Sequence, residues 1–205
     1  MKNSRIRKLS VTAVMSALAA ILMYIETPMP FFPFFLKLDP SDLPAIICSF
    51  AVGPLWGVGV QLFKNIIHAL STQTMIAGEI ANFFVGAAFV LPAGIVYNIL
   101  HTKKGAVIGL IAGTVTMALT GIFTNLYITL PVYSLLMPIE DIIKKAANAN
   151  SLIKDKISLI IYGITPFNLF KGILISTVTL LVYKPLSPIL HFNVKSRNAD
   201  INEKN

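Results

Sequence analysis

From Ile157 to Tyr183 the chain runs through one long apolar segment that carries a lysine in its interior, and few folds tolerate both facts at once. A helix rises ~1.5 Å per residue, so this segment reaches across the ~30 Å hydrocarbon core of a bilayer. On an unbroken helix Lys171 lies about 18 Å from Tyr183. An ammonium at that depth costs on the order of 3 kcal/mol on insertion scales, so it either snorkels to the headgroups or faces a polar partner inside a bundle. Asn168 precedes it by three residues, which on a helix puts the two side chains on one face. Pro166 sits just before them, where a helix starts or kinks. Thr165-Pro166-Phe167-Asn168-Leu169-Phe170-Lys171-Gly172 therefore reads as a donor pair turned toward a buried polar ligand, with a snorkelling lysine as the bland alternative.

The rest of the chain has the composition of a polytopic membrane protein, 55% hydrophobic and only 13% charged. The net charge of +8 would suit a nucleic-acid partner if it formed a stripe on a polar domain, but it does not. Lys2, Arg5, Arg7 and Lys8 precede the first apolar run, Lys103 and Lys104 fill a short break, and Lys184, Lys195, Arg197 and Lys204 follow the last. That distribution predicts cytoplasmic N- and C-termini. The basic start resembles a signal peptide, but no small-residue cleavage site follows Tyr24, so it reads as a retained first span. Cys48 is alone and lies in an apolar run, which makes it a small buried hydrophobe.

The predicted fold is an all-α membrane protein with six transmembrane helices in a single domain, residues 1–184, followed by a polar, disordered cytoplasmic tail at 185–205. The first span runs roughly from Leu9 to Ile25 and carries Ala13 and Ala17 four apart, a spacing that lets another helix approach closely. Glu26 to Asp42 is too rich in proline for a helix and too apolar for a solvated loop, and is expected to lie over a cavity as a lid. Leu43–Val52 and Leu55–Leu70 are short runs joined by Gly53-Pro54, read as a helical hairpin or as one re-entrant element. Lys64 and His68 share a face of the second run and cannot both be charged there without a carboxylate, which predicts a neutral His68 and a structural or coupling role for Lys64. Trp56, at the turn, is read as an interfacial anchor.

Glu79 and Asn82 open the fourth span, where Glu79 favours the helix dipole or binds ligand hydroxyls. The fifth span, Ala106 to about Leu130, has Gly105 just before it and Gly109, Gly113 and Gly121 within it for close packing, with Asn125 as its one amide. Pro138 to Lys156 reads as an extracellular loop with a short surface helix. No phosphate loop, paired cysteines, metal-binding acid cluster or nucleophile–base pair is present, which argues against an ATPase, a metal centre, a cofactor enzyme or an intramembrane hydrolase. What remains is a set of amides and a lysine near aromatic rings, suited to a flat, uncharged molecule whose edge is read by donors and acceptors.

Leu36 to Pro44, Gly53 to Val58, Lys64 to His68, Gly78 to Phe83 and Thr165 to Gly172 together resemble the riboflavin-specific substrate-binding subunits, or S components, of energy-coupling factor (ECF) vitamin transporters. The resemblance spans Ser10 to Tyr183. It implies a multi-pass protein of the bacterial cell membrane with a pocket near the extracellular side, in which riboflavin is cargo rather than cofactor. It implies flavin-edge contacts from Asn125, Asn168 and Lys171, and ribityl contacts from Lys37, Gly78, Glu79 and Asn82. Some relatives carry an aspartate at the position of Asn168, so the resemblance implies that an ion pair with Lys171 is lost here. Ala13 and Ala17 would dock on a shared transmembrane subunit that works with two ATPase subunits. An S component for another vitamin, a stand-alone transporter or a scaffold protein are the other readings of the same residues.

Overall fold

The computed structural model describes residues 2–71 and 76–182, and the expectations for the tail at 185–205 and its basic residues fall outside them. The elements in order are α1 (Lys2–Met23), α2 (Asp42–Ala51), α3 (Pro54–Ala69) and α4 (Ala77–Leu100). They continue with α5 (Lys103–Tyr133), α6 (Ile139–Ala149) and α7 (Lys156–Val182). Among the described residues, α1, α4, α5 and α7 are the four helices long and apolar enough to cross a membrane. The surface is inverted relative to a soluble bundle: Leu55, Ile99 and Leu181 are more than 70% exposed, while Asp42, Gln61 and Lys64 are fully buried.

The shorter α2 and α3 form the expected helical hairpin. Gly53 takes φ +135°, open to glycine alone, and Pro54 starts α3 with its φ already suited to a helix. Gly57 lets the two helices touch, because a Cβ there would lie 2.5 Å from the Cβ of Ser49. Trp56 lies in the first turn of α3 and packs on the core. The glycines of α5 act as the sequence predicts: a Cβ on Gly109 would stand 2.6 Å from the Ala93 carbonyl oxygen, and one on Gly113 would stand 2.5 Å from that of Phe89.

Two apolar cores result. One joins α2 to α5 through Ile46, Phe50, Phe89, Tyr97 and Met117, with the Phe50 and Tyr97 rings stacked at 4.4 Å. The other joins Leu36, Leu130, Ile142, Ala146, Leu159 and Phe167, so the surface helix α6 buries one face against α7. The Phe-rich segment covers this second core with Phe32 and Phe35. It is pinned by a small antiparallel ribbon, Thr27–Pro28 with Lys37–Leu38, that the sequence did not announce.

Both long helices near the second core contain a π-helical turn, Asn125–Thr129 in α5 and Ile160–Ile164 in α7. Each is followed two residues later by a proline, Pro131 and Pro166. Proline lacks the N–H that closes an α-turn and crowds the carbonyl four residues back, and a widened turn relieves both problems. α7 therefore runs on through Pro166 instead of starting there, which corrects one of the two expectations for this residue. The Tyr162 carbonyl that Pro166 cannot serve accepts a hydrogen bond from Asn150 Nδ2 at 3.2 Å.

Candidate ligand-binding site

Between the two cores lies a cavity of about 90 Å³ walled by α4, α5, α7 and the Phe-rich segment. Six of the residues expected at a ligand line it: Lys37, Gly78, Asn82, Asn125, Asn168 and Lys171. Glu79 lines an adjoining cavity of about 340 Å³, which shares Phe35, Lys37, Gly78, Asn82 and Tyr133 with the first. The larger chamber falls in the size range of small-molecule sites, ~300–1,000 Å³. The aromatic walls are Phe35, Tyr133 and Phe167, with the Phe35 and Tyr133 rings edge to face at 5.7 Å.

Local geometry fixes the amides. Asn125 Nδ2 donates to the Gly121 carbonyl at 2.8 Å, and Asn168 Nδ2 donates to the Ile164 carbonyl at 2.9 Å. Asn168 also presses against Gly121, where a Cβ would stand 2.4 Å from its Nδ2. Two polar atoms of the cavity wall, Asn82 Oδ1 and Thr129 Oγ1, are buried with no hydrogen-bond partner among the described residues. Leaving such an atom unsatisfied costs about 1–3 kcal/mol, so both are poised for groups on a ligand. Thr129 was missed in the sequence; the signal available was its place four residues after Asn125 on the same helix.

The electrostatics differ from the expectation in one decisive respect. Lys171 has not lost its ion pair: its Nζ donates to Asp39 Oδ2 at 2.9 Å and lies 3.0 Å from Asp42 Oδ2. The carboxylates come from the end of the Phe-rich segment and the start of α2, far away in the chain, so an asparagine at 168 does not leave the lysine alone. Lys64 is fully buried and pairs with Asp42 Oδ1 at 2.6 Å. His68 Nδ1 stands 3.0 Å from Glu79 Oε1, so the carboxylate whose absence underlay a neutral His68 is present. Lys37 pairs with Glu26 at the edge of the larger chamber.

A further cavity, about 910 Å³, lies elsewhere, as an open groove between α1 and α3 lined by Ala13, Ala17, Trp56 and Phe63. No charged side chain lines it, and of its hydroxyls Ser10 and Thr12 bond to carbonyls of their own helix, so it suits a packed helix better than a polar ligand. Among the described residues no group of three His, Cys, Asp or Glu side chains is placed to hold a metal.

The family model for the substrate-specific component of ECF transporters matches residues 7–183. The chain belongs to this family. It is 36% identical over 184 residues to the riboflavin transporter RibU of Staphylococcus aureus, covering 90% of this chain and 92% of the relative. It is 33% identical over 187 residues to the riboflavin transporter FmnP of Bacillus subtilis, covering 90% and 94%. A solved S component of a bacterial ECF transporter superimposes with a TM-score of 0.75 at 33% identity, over 91% of this chain and 98% of that one. This S component is thus a transporter subunit, not an enzyme, and a multi-pass protein of the bacterial cell membrane.

Proposed function

We propose that this S component captures riboflavin in the two adjoining chambers and delivers it for uptake, energised by partner subunits. The observation that carries the reading is the convergence of Asn125, Asn168 and Lys171 from two helices on one aromatic-walled cavity that also holds two unpartnered buried acceptors. A flat ring system stacks on such walls while its hydrogen-bonding edge meets the amides and the ammonium. The ribityl hydroxyls extend into the larger chamber, toward Lys37, Gly78, Glu79 and Asn82. The names of the Staphylococcus and Bacillus relatives support the same cargo.

In this reading six helices cross the membrane, with α2 and α3 as the short pair, both termini cytoplasmic, and the chambers near the extracellular side under the Phe-rich lid. Riboflavin is cargo, and no resident cofactor is needed. Ala13 and Ala17, both exposed on α1, dock on a shared ECF transmembrane subunit that couples to two ATPase subunits. Purified protein titrated with riboflavin, followed by the quenching of its fluorescence, tests the cargo. Saturable quenching in the parent, weakened ~10-fold or more (about 1.4 kcal/mol) in each of Asn125→Ala, Asn168→Ala and Lys171→Ala, is the expected result. No saturable quenching in the parent removes riboflavin from the reading.

A further inference from the structure

A lysine side chain on a ligand-facing wall is a poor reader unless something holds it, because its four-carbon stem carries about 2 kcal/mol of rotamer freedom. Here the hold comes from outside its own helix. Asp42 accepts Lys64 Nζ at 2.6 Å and Gln61 Nε2 at 2.8 Å on its Oδ1, and turns its Oδ2 to Lys171 at 3.0 Å. Lys64 also donates to Ser41 Oγ at 2.6 Å, and the Ser41 N–H donates to Asp39 Oδ1 at 3.0 Å. The side chains of all four charged residues, Asp39, Asp42, Lys64 and Lys171, are at most 5% exposed. Their charges cancel. Of the four, Lys171 alone reaches the smaller cavity.

We propose that Asp42, anchored by Lys64 and Gln61 on α3, is a positioning residue that holds the Lys171 ammonium on the cavity wall ready for the ligand, with Asp39 as its second anchor. An ammonium has three N–H groups. One is donated to Asp39, while Asp42 Oδ2, 3.0 Å away, pairs with the charge without accepting a hydrogen bond, which leaves N–H groups for the cavity. The orientation is set before the ligand arrives, so binding does not have to supply the ordering. A purely stabilising role accounts poorly for the arrangement, since a buried ion pair exchanged for apolar side chains is often neutral or better for stability.

The inference rests on the riboflavin reading, and a double-mutant cycle separates the two. Lys64→Met/Asp42→Leu removes one charge of each sign and leaves Asp39 to neutralise Lys171. It is compared with Lys171→Met and with the triple variant, using riboflavin fluorescence quenching for affinity and thermal melting for the fold. The expected result is a ~10-fold or greater loss in Lys64→Met/Asp42→Leu, about 1.4 kcal/mol, that nearly vanishes when position 171 is already methionine. The pair Lys64→Met/Asp42→Asn, measured in both backgrounds, keeps the charge balance and the shape of side chain 42, gives the same coupling, and stands in if the first double variant melts early. Equal losses in both backgrounds, or no loss in either, overturn the positioning role while the cargo stands. A parent chain that does not bind riboflavin overturns both.

Discussion

Asn168 sits so close to Gly121 that this glycine is part of the site. Gly121→Ala would press a methyl group onto the Asn168 amide at 2.4 Å, and the amide end is what must yield. The expected outcome is a fold that survives with riboflavin affinity down about fivefold, or about 1 kcal/mol, read by fluorescence titration beside a melting curve. Asn125, Asn168 and Lys171 were legible in the sequence because a polar side chain inside an apolar run is costly and must face something. Thr129 was not, because a helical threonine usually satisfies itself on a carbonyl three or four residues back, as Thr114 and Thr124 do here. Asp39 and Asp42 escaped notice as partners for a different reason. Asp39 is separated from Lys171 by 132 residues and lies in a proline-rich stretch with no helical pattern to point it anywhere.

The helices themselves were legible as apolar runs, and the α2–α3 hairpin followed from Gly53-Pro54, but the two π-helical turns were not. They depend on how a proline is absorbed by a helix packed on both sides. A turn that takes in one extra residue rotates everything beyond it by about 100° relative to an unbroken α-helix. In α5 the turn begins at Asn125 and ends at Thr129, two wall residues of the cavity. Pro131→Ala supplies an N–H for the Tyr127 carbonyl and allows an α-turn to re-form. The expected result is a loss of riboflavin affinity of fivefold or more, about 1 kcal/mol, with membrane insertion intact. At the start of α7, Asp155 and Ser158 form a capping box, with Ser158 N–H donating to Asp155 Oδ1 at 2.7 Å. Asp155→Ala should lower the melting temperature and leave the affinity for riboflavin unchanged, read by a melting curve beside a fluorescence titration.

At the scale of the whole molecule, the chain is a bundle with an apolar exterior, a charge-balanced polar interior and a groove along α1. The exposed Ala13 and Ala17 leave that groove open, and in the proposed reading a helix of another subunit packs into it. Ala13→Leu/Ala17→Leu should fill it, so that a tagged chain no longer brings down the ECF transmembrane subunit while riboflavin binding is unchanged; retained pull-down would rule this face out as the docking surface. The sequence by itself determined the membrane setting, the helical segments and the amides and lysine that line the candidate site. Those follow from the free energy of moving each residue into an apolar medium, which depends on local composition alone. The tertiary structure decided which charge meets which, how the Phe-rich segment covers the second core, and where a cavity remains. Such contacts join residues far apart in the chain and leave no periodic trace, and the cost of burying four charges is met only when all four arrive together.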